Sequence, residues 1–159
     1  MFLSYQDLAG SWRASRGDDP AWAAPQLDTA AWQAIRIPSK WEDGVFPDYD
    51  GIAWLRVEFR LDPVSAGRWK GRSLAIALGA VDDADETYLN GRRIGSTGKF
   101  PPEKETAYNV PRLYQVDREW LGETNVLAVR VSDWRGNGGI WRGPVAIGPA
   151  DELRRALER

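Results

Sequence analysis

Apolar and polar positions alternate with a period of two along residues 53–61, AWLRVEFRL. Trp54, Arg56, Glu58 and Arg60 share one face, and Ala53, Leu55, Val57, Phe59 and Leu61 share the other. Successive side chains of a strand point to opposite faces, so this segment predicts a half-buried strand. Residues 73–79, SLAIALG, are apolar on both faces and predict a central strand. Residues 86–90, ETYLN, run through Asn90-Gly91 into RRIG; a type I′ turn needs positive φ at two positions, which makes Asn-Gly a strong hairpin signal. Residues 125–132, NVLAVRVS, and 145–148, VAIG, supply two more strands, and 35–38 are a further candidate.

Helical periodicity is sparse. Single turns are predicted near 117–121 and, behind the capping residue Asp28, at 28–32. Residues 151–159, DELRRALER, place Leu153, Ala156 and Leu157 on one face, with acids early and arginines late, as the helix dipole favours. Two readings of this helix stand together: it docks on the sheet, or it leads into further chain. Short strands punctuated by Gly and Pro predict an all-β jelly-roll β-sandwich over 1–150, with a C-terminal helix or linker over 151–159. Long loops at 16–29, 38–52 and 95–111 are of a length that usually carries function.

Composition narrows the chemistry. The 159 residues contain no His and no Cys, which excludes Ser-His-Asp catalysis, His-ligated zinc and a disulfide framework. Acids number 23 and bases 21, interspersed to a net charge of −2, which argues against a nucleic-acid partner. No apolar run is long enough to span a bilayer, and the first residues lack the plan of a signal peptide. Nine Trp are more than one small core hides, so some are expected to line a surface.

Two loops mix Trp with acids and glycines: KWEDGVFPDYDGIAW from residue 40, and SDWRGNGGIWRG from residue 132. Indole faces stack on the C–H faces of a pyranose, carboxylates and arginines pair with its hydroxyls, and glycines let the backbone come close. Such recognition needs no group that titrates near neutrality.

The ordered series DGxxW, YxNGxxIG, NxxAVRV and Dx₅GIxR resembles the sugar-binding jelly-roll domain of glycoside hydrolase family 2, the β-galactosidases and β-glucuronidases, within the galactose-binding-like superfamily. The resemblance covers about residues 9–149. Similar domains occur in sialate O-acetylesterases and in extracytoplasmic sensory regions of bacterial signalling proteins, and the opening SWRASRGDDPAWAAPQLDTAAWQAIRIP looks most like the sensory group. The resemblance implies that Asp133, with Gly139, Ile140 and Arg142 after it, lies near a sugar and a bound cation. It implies that Asp50 approaches the sugar where those enzymes tend to carry Asn. The family's catalytic carboxylates lie on a separate barrel of roughly 250 further residues, absent from this sequence.

The expected function is therefore a non-catalytic carbohydrate-recognition domain. Its candidate ligand-binding residues are Trp41, Tyr49, Asp50, Arg112, Asp133, Trp134, Trp141 and Arg142, with Trp41, Trp134 and Trp141 turned toward solvent. Arg112 shares a strand face with Tyr114 and either pairs with Asp133 or Asp50 in the site or braces the sandwich. The alternative function is an extracytoplasmic sensory or protein-interaction module, joined to a downstream signalling or hydrolase domain and placed in the periplasm or outside the cell. No cofactor is required. Asp82, Asp83 and Asp85 are oxygen donors of the kind calcium takes, without the glycine and terminal Glu of an EF-hand, and Asp18 and Asp19 are a weaker pair. As acid-base pairs, Glu42/Asp43 and Asp82/Asp83 read as solvated or structural.

Overall fold

The computed structural model describes residues 4–159, so the first three positions of the 1–150 unit lie outside the described residues. Among the described residues, ten strands, numbered in chain order, form two antiparallel sheets. One has the order β1 (Gln6–Asp7), β10 (Gly139–Pro149), β5 (Leu74–Asp82), β8 (Arg112–Val116). The other runs β3 (Gln33–Ile37), β2 (Gly10–Arg16), β4 (Gly51–Arg60), β9 (Thr124–Asp133), β6 (Ala84–Leu89), β7 (Arg92–Thr97). The expected all-β sandwich is the architecture observed.

The alternating patterns build the core. Leu55 and Phe59 of β4, Leu127, Val129 and Val131 of β9 and Leu89 of β6 pack with Leu74, Ile76 and Leu78 of β5 and with Val145 and Ile147 of β10. Strand β5 is apolar on both faces because helix α2 (Ala150–Leu157) covers its outer side, where Leu153 packs on Ala75, Ala77 and Ala146. Full burial of a Leu side chain contributes about 1.5–3 kcal/mol. The helix docks on the sheet, as one of its two readings expects. The Asn90-Gly91 turn joins β6 to β7 with φ of 52° and 85°, the two positive values that a type I′ turn needs.

The outer face of β4 differs from the pattern. Trp54 and Arg56 were expected to face water but are buried, because the loop between β2 and β3 folds across the second sheet. A short 3₁₀ turn at Pro20–Ala23 brings Trp22 to 6.4 Å from Trp54, and Trp32 lies 5.1 Å from Trp22. Arg56 donates to the carbonyls of Trp22 and Ala24 at 2.6 and 2.8 Å. Asp18 accepts from Trp54 Nε1 at 2.9 Å and from Arg130 at 2.7–2.8 Å, and Asp19 caps the turn by accepting from Ala21 N. These two acids thus serve as loop clasps. The helical turn expected at 28–32 is a hydrogen-bonded turn, Trp32 N to Thr29 O at 2.9 Å.

A short helix α1 (Pro63–Gly67), capped by Asp62, follows β4. The first described residue is tied to the start of the last helix. Ser4 donates from N and Oγ to Glu152 at 3.0 and 2.6 Å, Arg72 pairs with Glu152 at 2.7 Å, and Trp69 Nε1 donates to Ser4 O at 2.7 Å. Among the described residues, no helix is long and apolar enough to cross a membrane.

Candidate functional site

Several chain segments converge on one end of the sandwich. Asp133, the last residue of β9, pairs with Gly51 at the start of β4, and Asp82, the last of β5, pairs with Gly139 at the start of β10. The loop before β4 is held there by Ser39 N to Ile140 O at 2.8 Å and Trp41 N to Gly138 O at 2.9 Å. The loop before β8 joins through Ala107 N to Asp83 O at 2.8 Å. The two Trp-, acid- and Gly-bearing loops therefore do lie together.

Their side chains divide into structural and available groups. Trp41 was expected to face solvent, but its indole is fully buried, packs against Phe46 at 5.7 Å and donates to Tyr49 O at 3.1 Å. Gly138 is required by that packing: a Cβ there would lie 2.0 Å from Trp41 Cε2. Tyr49 is half-buried and donates to Ile52 O at 2.6 Å. Trp134 and Trp141 are half-buried, neither inside the core nor fully presented. Trp141 Nε1 donates to Tyr108 O at 2.8 Å, and the exposed Arg142 lies 4.9 Å from its ring centre.

Arg112 is not available to a ligand. It is fully buried, donating from Nε to Asp85 at 2.7 Å and from its terminal nitrogens to the carbonyls of Ala107, Val110 and Asp83. Asp85 also accepts from Thr87 and Tyr114 at 2.7 and 2.8 Å, so both its oxygens are engaged and it is no calcium donor. Of the two roles open to Arg112, bracing the sandwich is the one observed, with Asp85 as the partner. Burial and the Asp85 carboxylate push the Tyr114 phenol above its ordinary range.

Asp82, Asp83 and Asp133 bring carboxylate oxygens within 4.8 Å of one another, and so do Glu42, Asp50 and Asp133. Asp133 is fully buried, and neither of its oxygens has a hydrogen-bond partner; Glu42 Oε1 is orphaned in the same way. These three are the buried, unpartnered side-chain atoms found among the described residues. Burial first, then the charges of Asp82, Asp50, Asp83 and Glu42, push Asp133 up to about 8. Burial and the adjacent Asp83 raise Asp82 to about 8 against the pull of Arg112 and Lys40. Glu42, Asp82 and Asp83 thus share an acidic cluster with Asp133, where the sequence suggested solvated or structural carboxylates for the acid-base pairs and a weak calcium set for Asp82 and Asp83 with Asp85.

Beside the cluster lies a cleft of about 340 Å³, lined by Asp82, Asp83, Thr106, Tyr108, Trp134 and Arg135. Asp83 is fixed in its wall by accepting from Thr106 Oγ1 and from Trp134 N at 3.2 Å. Thr106, Tyr108 and Arg135 were not anticipated. Tyr108, an exposed aromatic in a long polar loop, carried a faint signal, and Thr106 carried none.

No family model matches this sequence, and no curated protein matches it significantly. Solved structures do. A β-glucuronidase from Bacteroides uniformis superposes with a TM-score of 0.68 at 23% identity, over 90% of this chain and 17% of that one. A glycosyl hydrolase family 2 member from Bacteroides cellulosilyticus gives 0.68 at 20% identity, over 91% and 20%. The Ruminococcus gnavus β-glucuronidase gives 0.69 at 17% identity, over 91% and 29%. The chain thus spans less than a third of each of these enzymes, and its fold is that of a β-sandwich segment of glycoside hydrolase family 2 enzymes.

Proposed function

We propose that this chain is a non-catalytic carbohydrate-recognition domain of a larger glycosidase. The observation that carries the reading is the cleft in which Trp134 and Tyr108 stand beside Asp82, Asp83 and Arg135. Aromatic faces and paired hydrogen-bonding groups in one concave site suit a pyranose, whose C–H faces stack while its hydroxyls are held from the side. Trp141 and the exposed Arg142 extend the same rim, and Asp50 lies exposed at the edge of the acidic cluster. Trp41, Tyr49 and Arg112 support the loops from within and make no ligand contact in this reading. The same cleft would serve an extracytoplasmic sensory module, so the site does not depend on which larger protein carries it.

Titration of isotope-labelled protein with methyl galactosides, methyl glucuronides and peptidoglycan sugars tests the reading. Saturable shifts at the Trp134 and Tyr108 resonances are expected for at least one of them. Trp134→Ala should weaken that binding about tenfold, the loss of one stacked ring. A folded protein that shows no shift with any of these sugars at millimolar concentration would overturn the proposal.

A further inference from the structure

We propose that Arg56 and Arg13 form a binding site for the carboxylate group of a small organic acid, on the outer face of the second sheet and away from the acidic rim. The two arginines are Cα partners across the antiparallel pair β2–β4, so their side chains rise next to each other from one face. Like charges directly opposite in a sheet repel. Among the described residues, neither guanidinium has a carboxylate within ion-pair distance. Arg56 is only 4% exposed, and a buried charge is normally paired. Burial pulls its pKa below the ordinary guanidinium value, which an anion at its side would restore.

The fold leaves one edge of Arg56 free. Its Nη1 hydrogens go to Trp22 O and Ala24 O at 2.6 and 2.8 Å, and Nη2 lies 3.5 Å from Pro25 O. A guanidinium carries five N–H donors. The two that remain, Nε–H and the second Nη2–H, run parallel along one edge and match the two oxygens of a carboxylate. Among the described residues, the buried side-chain atoms without partners belong to Asp133 and Glu42, so Arg56 Nε, equally without a partner, is reached by solvent. Beside it is a cleft of about 270 Å³, lined also by Ser11, Arg13, Thr29 and Glu58. That volume falls below the range of drug-sized sites and suits a molecule of a few carbons. Arg13 is exposed and donates to Trp32 O at 3.1 Å through one nitrogen, which leaves its other donors for the cleft. Ser11 and Thr29 add hydroxyl donors. Glu58 lies exposed at the margin, one acid against two arginines, so the cleft keeps a positive balance. The loop carbonyls stay bonded when the free edge is filled, and the inference does not rest on sugar binding at the rim.

The arginine Nε–H resonances of isotope-labelled protein provide the test, with Arg56 and Arg13 assigned from the Arg56→Lys and Arg13→Gln spectra. Sodium acetate, sodium lactate and sodium sulfate are the probes, and sodium chloride at matched ionic strength is the baseline. With either organic acid the Arg56 Nε proton should move downfield and saturate, with a half-saturating concentration on the order of 1–10 mM. Arg13→Gln should raise that concentration about tenfold, the effect of losing one charge-assisted contact. Arg155→Gln, on the helix that covers the other sheet, should match wild type. Arg56→Lys should bind neither acid, because an ammonium lacks the fork. If that variant does not fold, Arg13→Gln gives the readout from an exposed position. The proposal is overturned if neither acid moves the resonance beyond the chloride baseline at about 100 mM, far above millimolar affinity. It is equally overturned if sulfate acts at lower concentration than both acids, or if Arg13→Gln binds as wild type does. A shifted resonance already present in ligand-free protein and removed by Glu58→Gln would also sink it, because Glu58 would then be the partner.

Discussion

Two buried aspartates a few residues apart in space have opposite circumstances. Asp85 is neutralised by Arg112 and by two hydroxyls, while Asp133 meets only other carboxylates. The difference separates them: one braces the sandwich, and the other belongs to the acidic cluster at its end. Arg112→Met should therefore destabilise the protein by about 3–5 kcal/mol, since it leaves Asp85 charged in the interior. Arg112→Lys should recover only part of that loss, because an ammonium cannot reach the carboxylate and three carbonyls together. Urea unfolding of the two variants measures both effects. None of this was legible in the residue types alone. The sequence marks Asp133, Arg112 and Trp41 as unusual, but the direction in which a side chain points is decided by what folds over it.

The elements were more legible. Residues 53–61 announced β4 by strict alternation, Asn90-Gly91 announced the β6–β7 hairpin, and residues 73–79 announced a strand covered on both sides. Strand β2 was missed, although Trp12 and Ala14 point inward between exposed Ser11 and Arg13. Its inward positions include only one large apolar residue, so the period was too faint to read. The outer face of β4 misled for a different reason, since an Arg and a Trp beneath a loop look like an Arg and a Trp in water. That loop makes a pH prediction. The Arg130 bond, and after the opposing effect of burial the Trp54 bond, hold the Asp18 carboxyl below the usual carboxylate range. A depressed folded-state value means that the stabilisation is complete above the unfolded value of about 3.9 and is lost as pH falls through the lower, folded one. Asp18→Asn should thus unfold at lower urea than wild type at pH 7. The gap should narrow steadily as the measurement is repeated below about pH 4, where wild-type Asp18 takes up its proton. A gap that stays constant across that range would show that Asp18 does not hold the loop by charge.

At the scale of the whole molecule, the two sheets set a polarity. Asp133, Asp82 and Gly139 mark one pole, and β10 runs from there to Pro149 at the other, roughly 30 Å away for a strand of its length. Ser4 is bonded to Glu152 in the first turn of α2 at the far pole, so the first described residue lies beside the start of the last helix, away from the acidic rim. A circular permutant that joins residue 159 to residue 1 by a short flexible linker, with new ends opened at the exposed Glu103, should fold and melt within roughly 5 °C of the parent. Collapse of that permutant in a thermal melt would show that the Ser4–Glu152 seam needs free ends. Seen as a building block, the sandwich has its first described residue and the start of its last helix joined at one pole and its carboxylates at the other. A probe fixed beside the Ser4–Glu152 seam is separated from the carboxylates by the length of β10, about 30 Å.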